Sequence, residues 1–249
     1  MSSVANTEKV AFPTTDWGLF VQLRGGTQAA RQAALEILAR RYWKPVFLFL
    51  RYSGHTEDAA KGLTQGFFAD CLEGDVFSKA DASKGRFRAF LRSCLRRFAS
   101  NQRRAANAQK RRPVAGLLSL DELMDAGEIP FQPADGLTPE VAFDRAWAAE
   151  LVTRVLKRLE NEYRAGQKVS HFDILAKRLI EPIMNGSEQA SMSDLARDHG
   201  ISEKQASNQL LTARRAYQRL LRDEIRLYAQ TEDEVSLEVS DVFRALQRP

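Results

Sequence analysis

Six apolar residues, Phe87, Phe90, Leu91, Cys94, Leu95 and Phe98, recur at i, i+3, i+4, i+7, i+8 and i+11. That spacing gathers them on one stripe of an α-helix, and no strand register can bring them to one face. Arg88, Arg92 and Arg96 form an i, i+4 row beside the stripe, and Arg103 extends it. The pattern predicts a helix with one face in a core and another presenting guanidinium groups. The aromatic rings belong to the core on this reading, with Phe98, near the end of the stripe, the one placed to meet a base.

The same period governs the rest of the chain. Residues 29–51 read as a helix with Leu35, Leu38 and Tyr42 on one side, interrupted at Pro45. Val46 to Leu50 is an apolar run that a strand could also use, but its setting between helical segments favours helix. Thr56 can cap a second helix reaching about residue 73, with Ala60, Leu63, Phe67 and Cys71 at helical spacing. Thr138-Pro139 is a helix start with proline in the first turn. Phe143, Trp147, Leu151, Val155 and Leu159 follow at i, i+4 intervals and predict a second core. Residues 171–180 form a further helical segment. No convincing strand is found, so the expected fold class is all-α.

Punctuation divides the chain. Pro113, Pro130, Pro133 and Pro139 are half of its eight prolines, and they cluster with Gly116, Gly127 and Gly136. Residues 113–138 therefore read as a Pro/Gly-rich linker between two helical domains, with a short helical turn at 117–124. At 249 residues and 44% hydrophobic content, the chain is long enough for two real cores. No run reaches the roughly 18 apolar residues of a membrane span. The N-terminal segment lacks the basic-then-apolar order of a secretory signal. Two cysteines, Cys71 and Cys94, and three scattered histidines make no zinc cluster, and a reduced cytoplasmic chain is the simplest expectation.

The net charge of +5 conceals segregation. From Lys84 to Arg112 the chain is dense in arginine and lysine, and no acid lies between Asp81 and Asp121. From Thr231 to Asp241 there are five acids and no base. Such segregation points to a polyanionic partner for the basic stretch.

Residues 191–225 carry the second motif. Leu195-Ala196 lies in a short helix ending at Gly200, and Ser202 with Gln205 fits the S-x-x-Q capping box of the next helix. Ala196, Gly200 and Ala206 have the spacing of two helices crossing in a helix-turn-helix. The second helix would offer Gln205, Ser207, Asn208, Gln209 and Thr212 to solvent, followed by Arg214 and Arg215. Amides and hydroxyls suit base edges in the major groove, and arginines suit phosphates or guanine. Any helical hairpin with a glycine turn shares part of this pattern.

Catalysis finds no matching motif: there is no phosphate-binding glycine loop, no GxSxG and no HExxH. His199 beside Gly200 reads as a helix C-terminal residue rather than a base. No catalytic, metal-ligating or cofactor-binding residue is assigned, and the chain is not expected to be an enzyme.

In order and spacing these segments resemble the extracytoplasmic-function sigma factors, the two-domain bacterial initiation factors that bind core RNA polymerase and recognise promoters. GHTEDAAKGLTQGFF (54–68) resembles the family's polymerase-binding helix. KGRFRAFLRSCLRRFASNQRRAANAQKRR (84–112) resembles the helix that melts and reads the −10 element, and 191–225 resembles the domain that reads the −35 element. FPTTDW near the start and LTPEVAFDRAW after the linker match a longer branch, so the resemblance covers nearly the whole chain. It implies core-polymerase contacts at Leu63, Gln65, Phe67 and Phe68, with Gln65 the best candidate for a direct one. It implies −10 contacts at Arg88, Arg92, Arg96, Arg97, Asn101, Arg103 and Arg104, and −35 contacts on the Gln205 to Arg215 face. Gly62 and Gly66 stand where the family commonly has acids, and Arg97 where many members have asparagine or histidine. The implied partners are core RNA polymerase and promoter DNA, with room for an inhibitory anti-sigma protein and with no membrane insertion.

The expected organisation is thus 1–112 for polymerase and −10 binding, 113–138 as linker, 139–230 for −35 binding, and 231–249 as an acidic C-terminal helix. Thr231 and Glu234 form a T-x-x-E box at the start of that helix, and Val235, Val239, Val242, Phe243 and Leu246 follow helical spacing. Its acids either pack on the C-terminal domain or shield a basic surface. The alternative to an initiation factor is a helix-turn-helix regulator that binds duplex DNA without engaging polymerase.

Overall fold

A computed structural model describes residues 22, 25–73, 86–105, 136–227, 229 and 231–247. The linker apart from its last three residues, its helical turn at 117–124, the FPTTDW segment and the basic residues Lys84 and Lys110 to Arg112 lie outside these. The described residues are all-helical, without a strand: α1 (Gln28–Tyr52), α2 (Glu57–Glu73), α3 (Phe87–Ala105), α4 (Pro139–Ala165), α5 (Val169–Leu175), a π-helical stretch (Ala176–Ile180), α6 (Glu181–Asn185), α7 (Met192–Asp198), α8 (Glu203–Arg226) and α9 (Glu232–Gln247). None of the described helices is long and apolar enough to cross a membrane.

Local chemistry sets the boundaries. Thr56 Oγ1 accepts the Ala59 amide at 3.3 Å to start α2, and Thr138 Oγ1 accepts the Val141 amide at 3.3 Å to start α4. Pro45 does not interrupt α1, which runs unbroken through it. An interior proline costs a helix about 3 kcal/mol. Here Tyr42, Trp43 and every residue from Pro45 to Leu50 are buried, and burying each large apolar side chain returns about 1.5–3 kcal/mol. The segment that a strand could have used, Val46 to Leu50, is a fully buried stretch of α1.

The core is one body. Buried residues of α1, α2, α3, α4, α8 and α9 form a single continuous cluster, and α1 packs most extensively on α4. The stripe of Phe143, Trp147, Leu151, Val155 and Leu159 is buried as expected, but in this shared core rather than a second one. The reason lies beside the stripe: Ala142, Ala146, Ala148 and Ala149 are also buried, so the first half of α4 has helices on several sides. A smaller satellite joins Ile174, Leu195, Ala196 and Ala206.

Between α5 and α6 the backbone widens, and the Glu181 amide donates to the Ala176 carbonyl five residues back. Pro182 supplies the cause, having no amide for the Arg178 carbonyl. That carbonyl instead accepts the Gln189 side chain at 2.9 Å, while Arg178 Nη1 donates to the Ala190 carbonyl at 2.6 Å. The clasp fixes the chain entering α7.

Candidate nucleic-acid interface

The arginine row of α3 is largely covered rather than open. Arg88, expected at a solvent face, is 5% exposed. Its Nη1 donates to Asp144 Oδ1 at 2.8 Å and its Nη2 to Asp241 Oδ2 at 2.6 Å, while Nε lies 3.4 Å from Glu238 Oε2. The guanidinium sits 4.1 Å from the centroid of the Trp147 ring. Burial alone would lower the Arg88 pKa, but the charges of Glu238, Asp144 and Asp241 outweigh it and raise the pKa above its ordinary value. Arg86 donates to Glu238 at 3.0 Å and to Asp241 at 2.6 Å. Half-buried Arg92 donates to Asp144 Oδ2 at 2.6 Å.

Only the far part of the row is open. Arg96 is exposed and pairs with Glu140 at 3.1 Å, and Arg97 and Asn101 are exposed. Arg103 and Arg104 fall in the last turn of α3, where the backbone alone is described. Phe98 is a core residue and packs edge-on against Phe67 at 5.5 Å, so it is not placed to meet a base.

The carboxylates answer to the same geometry. Burial pushes Glu238 above its ordinary pKa and outweighs the pull of Arg88 and Arg86. Burial also acts to raise Asp241, but hydrogen bonds and charge from Arg86 and Arg88 prevail and hold it below its ordinary value. The sequence reading did not anticipate Glu140, Asp144 and Trp147 as partners of the row. Their one signal is that Asp144 lies between Phe143 and Trp147, on the flank of a buried stripe.

The expected polymerase-contact residues divide. Phe67 and Phe68 are each 2% exposed and pack on one another at 5.5 Å, which removes them from the surface. Leu63 and Gln65 are half-buried.

The α7–α8 segment leaves all of the side chains expected at solvent exposed except Gln209. Gly200 takes φ +62°, a left-handed turn suited to glycine, and the Ile201 amide reaches back to the Ala196 carbonyl at 3.0 Å. Ser202 Oγ accepts the Gln205 amide at 3.3 Å, and Gln205 Oε1 accepts the Ser202 amide at 2.9 Å. Gln205, Ser207, Asn208, Thr212, Arg214 and Arg215 are exposed, and among the described residues no carboxylate pairs with Arg214 or Arg215. One acceptor and one donor are already engaged: Gln205 Oε1 in its box, and Thr212 Oγ1, which donates to the Asn208 carbonyl at 2.9 Å. Gln209 is half-buried, and its shielded Oε1 meets no donor among the described residues.

Cys71 and Cys94 carry free thiols. Burial pushes the Cys94 thiol up to about 11 and raises Cys71 as well, so neither is activated as a nucleophile. No family model, curated protein or solved structure matches the chain.

Proposed function

We propose that this chain is a transcription initiation factor of the extracytoplasmic-function sigma type, which binds core RNA polymerase and directs it to promoters from the cytoplasm. In this reading α7 and α8 form the helix-turn-helix that reads the −35 duplex, and α3 meets the opened −10 strand. The supporting observation is the exposed face of Gln205, Ser207, Asn208, Thr212, Arg214 and Arg215, which follows a capped turn and ends in two arginines without carboxylate partners among the described residues. Helix N-terminal halves with amides, hydroxyls and arginines are the usual readers of a major groove.

The reading carries a requirement. Arg88 and Arg92 engage Asp144, Glu238 and Asp241 in the free chain, so a −10 strand must displace carboxylates before its phosphates reach them. Helices from both sides of the linker also share one core, so using 1–112 and 139–230 as separate units requires them to part. A second reading, a regulator that binds duplex DNA and never engages polymerase, draws support from the burial of Phe67, Phe68 and Arg88.

In vitro transcription from genomic fragments separates the two. Core polymerase with and without the chain should give discrete, protein-dependent start sites. Duplex binding without any new transcript would leave the regulator standing.

A further inference from the structure

We infer that a cavity between α4, α5, α6, α8 and α9 is a binding site for a medium-chain carboxylic acid, held by its apolar tail and by its carboxylate. The cavity measures about 190 Å³. For scale, a closed apolar cavity of about 150 Å³ takes up benzene. The walls are apolar: Leu175 from α5, Leu179 and Ile180 from the π-helical stretch, Ile183 from α6, and Phe243 and Leu246 from α9. Ile183 and Phe243 are 47% and 37% exposed. Apolar surface therefore runs from the cavity out to solvent, and an elongated ligand can enter without the core opening.

The polar end comes from α8. Arg214, Tyr217 and Gln218 line the cavity, and at i, i+3 and i+4 they share one face of the helix. Tyr217 is 6% exposed, yet its hydroxyl has no hydrogen-bond partner among the described residues. A buried tyrosine hydroxyl ordinarily has one. Burial raises its pKa to about 12, so it stays protonated and can donate. Exposed Arg214 pairs with no carboxylate among the described residues. A ligand carboxylate accepts from guanidinium, phenol and amide together, whereas a neutral or cationic head leaves Arg214 unanswered. The tail then covers apolar surface that is otherwise wet. The site does not rest on the promoter reading, since Tyr217 and the apolar walls are the same whatever α8 binds.

The test is a calorimetric titration of octanoate onto the full chain, with octan-1-ol as the neutral probe and hexanoate as the shorter one. Saturable octanoate binding supports the site if hexanoate binds about fifteenfold more weakly, having lost two methylenes at about fourfold each. Arg214→Gln and Tyr217→Phe should each weaken octanoate about tenfold, as losing one charge-assisted hydrogen bond implies. Arg214→Gln should leave octan-1-ol unmoved. Arg215→Gln, the neighbouring arginine that does not line the cavity, is the control and should change neither probe. Arg214 is exposed and Tyr217→Phe keeps the ring, so both variants spare the fold, and the thermal midpoint of each checks this. Absence of saturable binding at millimolar octanoate, or equal losses in Arg214→Gln and Arg215→Gln, overturns the site. Equal affinity for octanoate and octan-1-ol reveals an apolar patch without a place for the carboxylate, and overturns it too. Sedimentation checks for a rival occupant: a dimer that Ile183→Asp returns to monomer assigns the face to a second copy of the chain and overturns the ligand site.

Discussion

Arg88 lies 4.1 Å from the centroid of the Trp147 ring, with the ring on one side and the carboxylates of Asp144 and Asp241 at its edge. One side chain thereby joins α3, α4 and α9. Removing one member of a buried ion pair costs about 3–5 kcal/mol, because the partners stay buried without a counter-charge. Arg88→Ala should therefore destabilise by about 3 kcal/mol or more in urea denaturation. Arg96→Ala breaks an exposed pair with Glu140 and should cost under about 0.5 kcal/mol. Equal losses would mean that burial of Arg88 does not set its energetics.

The pH profile should be bounded on both sides by two carboxylates of α9. Glu238 has a raised pKa, so between the ordinary glutamate value of about 4.3 and that raised value the folded state binds more protons, and stability falls as pH rises. Asp241 has a lowered pKa, so its contribution is present above the ordinary aspartate value of about 3.9 and is lost as pH falls through the lowered one. Stability from this cluster should peak between the two limbs. Glu238→Gln should flatten the upper limb and Asp241→Asn the lower, read from chemical denaturation at a series of pH values.

What the sequence makes legible is what neighbours in sequence decide. The caps at Thr56, Thr138 and Ser202 work through hydrogen bonds three residues long, and each is found where the pattern puts it. The stripe of α3 is found too, because Phe87, Leu91, Leu95 and Phe98 are buried. Helical period marks the arginine row as polar but cannot tell whether solvent or carboxylate faces it. The deciding partners of Arg88, Asp144 and Asp241, are 56 and 153 residues away. The shared core escaped for a similar reason: small residues such as Ala142 and Ala146 leave a weak pattern while allowing close helix approach.

Neutralising the acids of α9 should expose the row. Deleting 231–249 is a blunt way to do so, because Val235 and Val242 belong to the core. Glu238→Gln with Asp241→Asn keeps the helix and withdraws two counter-charges from Arg86 and Arg88. Affinity for single-stranded DNA should rise about tenfold in fluorescence anisotropy, with a steeper salt dependence as more phosphates are engaged. Unchanged affinity with intact helicity would show that these acids do not shield the row.

If α8 reads a −35 duplex, its exposed face should separate stability from specificity. Ser202→Ala removes one half of the capping box and should cost about 1 kcal/mol in stability. Asn208→Ala touches only an exposed side chain. It should leave stability within about 0.5 kcal/mol while changing −35 preference by about 1–3 kcal/mol for the base it contacts. Competition binding against a set of substituted duplexes reads the second effect.

The two glycines of α2 offer the last test. Gly62 is exposed, and a Cβ built there meets nothing within 4 Å; at Gly66 it would lie 3.6 Å from Phe98 Cζ, an ordinary contact. Neither position needs glycine for its own fold, and each interior glycine costs about 1 kcal/mol relative to alanine. Gly62→Ala should accordingly stabilise the chain by about that amount in thermal or urea denaturation. If the glycines leave room for a close-fitting partner, Gly62→Asp with Gly66→Glu should weaken core-polymerase binding while helicity rises. If they mark only missing charge, the double variant should bind core polymerase more tightly and with greater salt dependence. The open space around Gly62 favours tighter binding, and a titration in which the folded double variant binds more weakly would reverse that reading.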